Sequence, residues 1–479
     1  MKKYAFRWII ALLLASIIPL SLLAVGLSLP TCYADTYYAE LPAMYWRLRQ
    51  TQGRKLVIVG GSNVAFGLDV TYLEQLLAEQ GFGYTVCSFG LYAAVGMPPM
   101  LDLSLETLSE GDVVILAMEP TSETMSAYFG ATAFWKCAEE DPRMLFSLQA
   151  DRKSAMAGSY LQYLQDRIKL VRSDEIPHPT DVYSKASFDE NCSMVYDRPG
   201  NILALGYDTS TPVDFGSVEI SGEFAALVND YCQSARAKGA SVYLSFSPVN
   251  RSAVSDMESI GVFFEQCRTA FDCTVISDPN RYVMDSGWFY DNNFHLNTAG
   301  ARLRSFLLAE DILSQLGCYA PLNTGELPAM PEPVRATAET ENGDTDSFTF
   351  ALDVENGVYL VSGLSEAGRQ EKVLTIPGSI DGVPVVGFSG AVLESEVLEE
   401  LTVPASVENL PDRLFARCPN LTRLVLKHTD RPCGISGDTF AGAADLRVFV
   451  PQEAYSLYRD GYGCAVNPWT ACLDRIYTY

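Results

Sequence analysis

The feature that most constrains the fold is a series of short, nearly continuous apolar runs that alternate with helical stretches from residue 55 onward. Such runs are typical of parallel strands that are covered on both faces. Between the first two runs, Leu73, Leu76 and Leu77 form one apolar helical stripe. This order predicts an α/β fold with a doubly wound, mainly parallel sheet. The predicted strands lie at 56–59, 84–87, 113–116, 242–245 and 273–276.

The last quarter of the chain carries a repeated short apolar phrase that in three of its four copies ends in proline. The phrases lie at 374–377, 401–404, 424–427 and 448–451, and they are spaced by 27, 23 and 24 residues. A period of about 20–29 residues with one short strand per repeat predicts a leucine-rich repeat solenoid. Because there are only a few repeats, the solenoid would be small and capped by atypical sequence.

The region from about 348 to 475 resembles bacterial cell-surface leucine-rich repeats. Their units end in a Phe-Ala-Gly phrase followed by leucine and a Val-Pro strand, and Phe440 and Leu446 occupy those positions here. Phe415 and Leu421 occupy the matching positions one repeat earlier. Such solenoids mostly serve binding, so a protein or glycan ligand is expected on this one. A purely structural appendage is the alternative.

The N-terminus predicts a membrane anchor. Lys2, Lys3 and Arg7 precede an uncharged stretch at 8–29 that is rich in Leu, Ile and Ala. At 1.5 Å per residue this stretch spans about 33 Å, enough to cross a bilayer core. A signal peptide cleaved near 32–34 is the alternative. The basic residues place the N-terminus in the cytoplasm and the bulk of the chain outside, as a single-pass protein of the cell membrane.

A stretch at 320–345 that is rich in Pro, Thr, Glu and Gly predicts a linker. The expected organisation is an anchor or signal segment at 1–33, an α/β domain at 34–319 and a repeat domain at 346–479. Within the α/β domain, about 121–220 has weak periodicity and many polar residues. We interpret that segment as an insertion that covers the functional site.

Composition argues against two classes of function. The chain has 34 Lys and Arg against 59 Asp and Glu, a net charge of −25, and no basic run, which argues against nucleic-acid binding. Only His178, His295 and His428 occur, so a histidine-rich metal centre is not expected. The 12 cysteines form no CxxC pair. We expect no redox role, metal or cofactor.

Residues with catalytic potential follow the first strand and precede the last helix of the α/β domain. Ser62 comes after Gly60 and Gly61, at the edge where parallel sheets bind ligands. The turn either presents the hydroxyl to a crevice, or it only makes a tight turn or holds a phosphate. Its glycines do not match dinucleotide or P-loop patterns. Asp291 stands four residues before His295, and a carboxylate can orient an imidazole that takes the serine proton.

Over about 55–318 these residues resemble the SGNH/GDSL-type hydrolases. The nucleophile block of that family is similar to 59–63, its second-block glycine to Gly90, and its final Asp/His block to 291–295. The order of the blocks is also that of the family. The resemblance implies a flavodoxin-like SGNH fold.

The resemblance also implies roles for individual residues. Ser62 would be the nucleophile, His295 the general base and then acid, and Asp291 the carboxylate that holds the imidazole. The amides of Ser62 and Gly90 would stabilise the oxyanion. The usual spacing is Asp-x-x-His, whereas Asn292 stands three residues before the histidine here. We choose Asp291 because some exported acyltransferase-like relatives resemble this longer spacing.

The third block departs further from the family, which usually supplies an Asn side chain to the oxyanion hole. The third predicted strand ends instead in Met118, Glu119 and Pro120. A carboxylate facing an oxyanion is repulsive, so Glu119 points away, binds substrate or marks a lost activity. Asn63 and Asn250 are the alternative donors, and the sequence does not decide between them. We assign Glu119 and Asn250 to substrate binding.

Two functions remain open. The first is a membrane-anchored extracellular serine esterase or O-acyltransferase acting on cell-surface glycan or a similar acyl ester, with the repeats as a binding module. The glycan is implied by the resemblance to exported SGNH proteins alone. The second is a catalytically inactive surface protein that binds partners or glycan.

Overall fold

The structure, a computed structural model, describes residues 21–22, 24–26, 28–91, 93–174, 176–332, 343–390, 392–460 and 468–479. The described α-helices are α1 (Glu40–Gln50), α2 (Ser62–Phe66), α3 (Val70–Glu79), α4 (Met97–Thr107), α5 (Ala131–Cys137), α6 (Ala150–Ser173), α7 (Gly222–Ala237), α8 (Ile260–Ala270), α9 (Thr298–Gln315) and α10 (Tyr455–Asp460). The strands of the N-terminal part are β1 (Lys55–Gly60), β2 (Thr85–Phe89), β3 (Val113–Ala117), β4 (Ser241–Leu244), β5 (Val249–Asn250), β6 (Thr274–Val275) and β7 (Val283–Met284).

The C-terminal part is built mainly from strands. They are β8 (Phe348–Asp353), β9 (Val358–Leu364), β10 (Val373–Thr375), β11 (Ser379–Ile380), β12 (Val383–Phe388), β13 (Glu400–Val403), β14 (Asn409–Leu410), β15 (Arg423–Leu426), β16 (Gly434–Ile435), β17 (Arg447–Val450) and β18 (Ile476–Thr478). We call the described residues from 348 to 479 the C-terminal unit.

The first sheet has five parallel strands in the order β2-β1-β3-β4-β6. Alternate residues of β1 face opposite sides, since Val57 and Val59 belong to one buried cluster and Leu56 and Ile58 to another. Helices α4 and α7 pack on the first face, and α3 and α9 pack on the second. Burial on both faces explains why the sequence of β1 is a continuous apolar run.

A second parallel sheet, in the order β10-β13-β15-β17-β18, forms much of the C-terminal unit. Its register stacks equivalent positions of the repeated phrase, because Leu374 pairs with Leu401, Leu401 with Leu424, and Leu424 with Val448. All four side chains are buried in one cluster. The repeat spacing therefore has a direct structural counterpart, a column of apolar side chains along the sheet.

The predicted fold class, a doubly wound, mainly parallel flavodoxin-like sheet with an N-terminal transmembrane helix and a leucine-rich repeat solenoid, is wrong. The structure is mixed α/β with several sheets, including a mixed, curled half-barrel sheet. The mixed sheet has the order β11-β12-β9-β8, in which β12 is parallel to β9 and both outer pairs are antiparallel. It lies in a region where the repeats predicted only parallel strands.

A tight turn between β8 and β9 explains the difference. The Asp353 side chain accepts a hydrogen bond from the backbone N–H of Asn356 at 3.1 Å, and its carbonyl accepts one from Gly357 at 2.9 Å. Gly357 has a φ of 66°, and an Asn-Gly pair favours a hairpin between antiparallel strands. The repeated phrase begins only at residue 374, so the predicted repeat region of about 348–475 includes 348–373, which does not carry the pattern.

The predicted anchor at 8–29 lies mostly outside the described residues. In the part of the chain that the structure describes, no helix combines the length and apolar character needed to cross a membrane. The predicted linker at 320–345 also falls partly outside the described residues. The buried apolar clusters lie either before residue 328 or after residue 347, and the predicted domain boundaries stay predictions.

Candidate active site

Ser62 is the first residue of α2 and follows the turn that ends β1. The chain is crowded here, because a Cβ atom on Gly90 would clash with the carbonyl group of Gly60. A Cβ atom on Gly60 would lie 2.5 Å from the carbonyl oxygen of Ala117. Glycine therefore lets the ends of three strands approach closely, and the serine lies at the carboxyl edge of the sheet.

His295 lies in the loop before α9, and neighbouring residues hold both its backbone and its ring. The Asn292 side-chain oxygen accepts hydrogen bonds from the backbone N–H groups of Phe294 and His295, both at 2.8 Å. The imidazole stacks on Phe66, with ring centroids 3.7 Å apart and an interplanar angle of 8°. The Asn292 contacts fix the backbone of the loop, and the Phe66 contact orients the imidazole.

The structure brings the three predicted catalytic residues together. His295 Nε2 lies 2.8 Å from Ser62 Oγ, and His295 Nδ1 lies 2.8 Å from Asp291 Oδ1. The histidine is 2% exposed, whereas Ser62 is partly exposed. The arrangement is one in which a neutral imidazole can take the serine proton while a carboxylate stabilises the resulting imidazolium.

Asp291 has partners on its other side. The Tyr183 hydroxyl donates to Asp291 Oδ2 at 2.6 Å. Burial by itself raises the pKa of Asp291, but His295 and the Tyr183 hydrogen bond lower it. The buried guanidinium of Arg198 adds to that lowering, and the pKa of Asp291 ends below its ordinary value. The carboxylate is therefore ionised near neutral pH, as its role beside an imidazolium requires.

Glu119 follows β3 and points into the site. Its side chain is 6% exposed, and Oε1 lies 3.5 Å from Ser62 Oγ and 3.3 Å from the backbone nitrogen of Asn63. Among the three alternatives that the sequence left open for Glu119, pointing away does not fit this placement. Substrate binding or a lost activity remains.

The two asparagines considered as oxyanion donors have structural partners instead. Asn63 is fully buried, accepts a hydrogen bond from the Gly61 backbone N–H at 3.0 Å and donates to the Ala117 carbonyl at 2.9 Å. Asn250 is also fully buried and donates to the Gly206 carbonyl at 2.8 Å. Both side chains therefore hold the backbone, and neither lines the cleft beside Ser62.

A cleft of about 630 Å³ opens beside Ser62 and His295. One wall comes from the C-terminal unit, whose lining residues include Glu408, Asn409, Arg431, Cys433, Pro468 and Trp469. Glu408 joins the two parts of the molecule, since its carboxylate accepts from the Ala204 backbone N–H at 3.2 Å and pairs with Arg431 at 2.6 Å. The cleft is therefore shared by the first sheet and the C-terminal unit.

The segment predicted to cover the site, at 121–220, supplies another wall. Its lining residues include Thr121, Ser122, Thr124, Tyr183, Ser210 and Thr211. Sequence reasoning missed Tyr183 and Arg198 individually because they stand far from Asp291 along the chain, 108 residues away for Tyr183. The position of Phe66 near the site could have been predicted from the sequence, because it lies four residues, about one helical turn, after Ser62.

No known protein family, no curated protein and no solved structure matches this chain. The assignment of a function therefore depends on the geometry of the site.

Proposed function

We propose that the chain is a serine esterase or O-acyltransferase of the SGNH type. The observation that carries the proposal is the hydrogen-bonded series from Ser62 through His295 to Asp291, with 2.8 Å at each step. The cleft beside the serine has a volume within the range of about 300–1,000 Å³ that is typical of small-molecule sites.

In the first half-reaction, Ser62 Oγ bonds to the acyl carbon while His295 Nε2 takes the hydroxyl proton. The imidazolium gives that proton to the leaving alcohol, and an acyl-serine remains. In the second half-reaction, water or an acceptor hydroxyl loses a proton to His295 and attacks the acyl carbon. The acid or new ester leaves, and the serine regains its proton.

The backbone N–H groups of Ser62 and Gly90 support the transition state in this proposal. No described residue accepts a hydrogen bond from either amide, and both belong to the crowded turn at the ends of β1 and β2. Backbone donors of this kind stabilise the negative charge on the acyl oxygen without having to reorganise.

We propose a cell-surface glycan ester or a similar acyl ester as the substrate. The resemblance to exported SGNH proteins suggests the glycan, and the hydroxyl groups of Ser122, Thr124 and Thr211 along the cleft offer hydrogen-bond partners for sugar hydroxyls. The C-terminal unit would then bind the substrate from the opposite wall. The cell-membrane location with an extracellular bulk stays a prediction, which cell fractionation with an antibody to the C-terminal unit tests.

Labelling with a fluorophosphonate probe tests the catalytic proposal. The wild-type chain should be labelled and should hydrolyse a small neutral ester, and Ser62→Ala should lose both properties with an unchanged circular dichroism spectrum. Ser234→Ala, at an exposed position on α7, is the matched control and should behave like wild type. Equal labelling of wild type and Ser62→Ala would contradict the proposal.

A non-catalytic binding protein is the second candidate. The observation that favours it is the Glu119 carboxyl group 3.5 Å from Ser62 Oγ, because an ionised carboxylate there opposes the charge that develops during acyl transfer. A wild-type chain that folds, binds glycan and resists the probe would support this candidate over the enzyme.

A further inference from the structure

Glu119 lies against the turn that carries the nucleophile. Its Oε1 atom contacts the Ser62 hydroxyl and the Asn63 backbone N–H, and a Cβ atom on Gly61 would lie 3.1 Å from the same oxygen. The carboxyl group therefore belongs to the immediate surroundings of the reacting serine oxygen.

An ionised carboxylate is poorly supported at this position. The side chain is 6% exposed, and in the described part of the chain no lysine or arginine forms an ion pair with it. A buried unpaired charge is costly, and a carboxyl group commonly becomes neutral instead. Negative charge beside Ser62 would also oppose attack on an ester.

Four titratable or charged groups face Glu119 from the surrounding elements. They are His295 from the loop before α9, Glu123 from the loop after β3, Arg304 from α9 and Tyr37 from the segment before α1. Burial raises the pKa of Glu119, and the negative charge of Glu123 acts in the same direction. His295 and the hydrogen bonds from Asn63 and Ser62 lower the pKa in part, and the net pKa stays above its ordinary value.

We infer that Glu119 acts as a neutral carboxylic acid that donates a hydrogen bond to the acyl oxygen, in the place where the resembled family has an asparagine. This inference rests on the proposed serine chemistry. Because Glu119 contacts the Ser62 hydroxyl, its carboxyl group lies next to the position that the acyl oxygen of a bound ester would occupy. A carboxylic acid kept neutral by its apolar surroundings can stabilise an oxyanion in this way.

The step involves no net proton transfer from Glu119. As Ser62 Oγ bonds to the acyl carbon, the carbonyl double bond opens and its electron pair moves to oxygen. The Glu119 O–H then donates to that oxygen while it keeps its own proton, and the serine proton goes to His295. When the carbonyl forms again, the hydrogen bond weakens and the acid is unchanged.

The inference predicts a specific pH dependence of kcat/KM. Neutral Glu119 is the active form, so kcat/KM should fall as the pH rises through the pKa of Glu119. The profile of the wild-type enzyme should therefore have an alkaline limb, and Glu119 should be responsible for it.

Glu119→Gln and Glu119→Ala test the inference with a small neutral ester as the substrate. The glutamine amide donates a hydrogen bond at every pH, so Glu119→Gln should keep kcat/KM within about tenfold of wild type and should lose the alkaline limb. Glu119→Ala should lose roughly 10² to 10³ in kcat, the usual effect of removing one oxyanion donor. Glu123→Gln removes a nearby carboxylate that has no hydrogen bond to Ser62. It should keep the alkaline limb but move it to lower pH, because the charge of Glu123 raises the pKa of Glu119.

Infrared spectroscopy gives a second measurement that does not depend on turnover. At a pH where the wild type is fully active, the infrared difference spectrum of wild type minus Glu119→Gln should contain the carbonyl band of a protonated carboxylic acid. Absence of that band, or a loss in Glu119→Gln as large as in Glu119→Ala, would overturn the inference. Failure of fluorophosphonate to label wild-type Ser62 would instead remove the proposed function itself.

Discussion

The two five-stranded parallel sheets of this molecule have the same kind of strand pairing but differ in the residues that follow their strands. In the first sheet, β1 and β3 lead into polar residues at the carboxyl edge, Ser62 and Glu119, which face each other across a turn. In the second sheet, the strands β10, β13 and β17 are followed within two residues by proline, at 377, 404 and 451. Proline has no N–H and no polar side chain to offer a ligand. A parallel sheet therefore makes a reactive edge only where the residues after its strands provide one.

The buried histidines of the two parts differ in the same way. His295 has Asp291 on Nδ1 and Ser62 on Nε2, so its ring can accept and release a proton during a reaction. His428 donates from Nε2 to the Val407 carbonyl, and its Nδ1 has no hydrogen-bond partner among the described residues. Burial lowers the pKa of His428 to about 4. In the proposed mechanism His295 is the base, whereas the contacts of His428 are structural.

Replacement of the base is expected to have the largest effect. His295→Ala should lower kcat for ester hydrolysis by a factor on the order of 10⁴ to 10⁶, because the serine then has no proton acceptor. Steady-state kinetics with the small neutral ester measures the loss. His178→Ala is the matched control, since that histidine is exposed and pairs with Asp35 at the surface. Equal losses of kcat in both variants would contradict the role of His295 as the base.

Shortening a buried side chain in the second sheet should lower the stability of the protein without changing the reactivity of Ser62. Leu424→Ala removes a fully buried side chain from the column of repeats and should lower the free energy of unfolding by about 2–5 kcal/mol. Under native conditions, the rate of fluorophosphonate labelling at Ser62 should stay close to that of wild type. Val373→Ala, at a position that is 57% exposed on the same sheet, should change the unfolding free energy by less than about 0.5 kcal/mol.

The stability of the C-terminal unit should depend on pH through His428. The folded pKa of about 4 lies below the ordinary value of 6.5, so the unfolded chain binds more protons between these values. Stability is therefore complete above pH 6.5 and should fall by about 3 kcal/mol as the pH drops to 4. Urea unfolding at a series of pH values measures how the unfolding free energy changes with pH, and His428→Gln should make that dependence weaker. An unchanged dependence in the variant would show that other groups cause it.

The smallest effect is expected at the shared wall of the cleft. Arg431→Ala removes the ion pair with Glu408 and should lower kcat/KM for a bulky glycan ester by roughly 3- to 10-fold, in line with about 1 kcal/mol for a partly exposed pair. The kcat/KM for a small ester should change less than about twofold. Arg447→Ala lies on the second sheet outside the cleft and should affect neither substrate. A loss with the small ester would mean that the C-terminal unit supports the triad and not the substrate.

Local patterns predicted several elements correctly. The five apolar runs overlap the five strands of the first sheet. Strands β1 and β3 are buried at every position, which explains their continuous apolar sequence, whereas β4 and β6 each carry an exposed residue. The fold class as a whole was wrong, because the hairpin around Asn356 and Gly357 interrupts the region assigned to repeats. The spacing between Asp291 and His295 was sufficient to identify two candidate residues that the structure places 2.8 Å apart.

The sequence by itself determined which side chains are available: one serine after two glycines, one aspartate close to a histidine, and a glutamate in place of an expected asparagine. Only the tertiary structure decided which of them meet. In the folded chain Glu119 contacts Ser62, and Tyr183 donates a hydrogen bond to Asp291. Asn63 and Asn250 bond to backbone carbonyl groups, and Glu408, distant along the chain, lines the cleft. The physical reason is that a sequence pattern reports the periodicity and burial of one segment, whereas a site depends on contacts between segments that are distant along the chain.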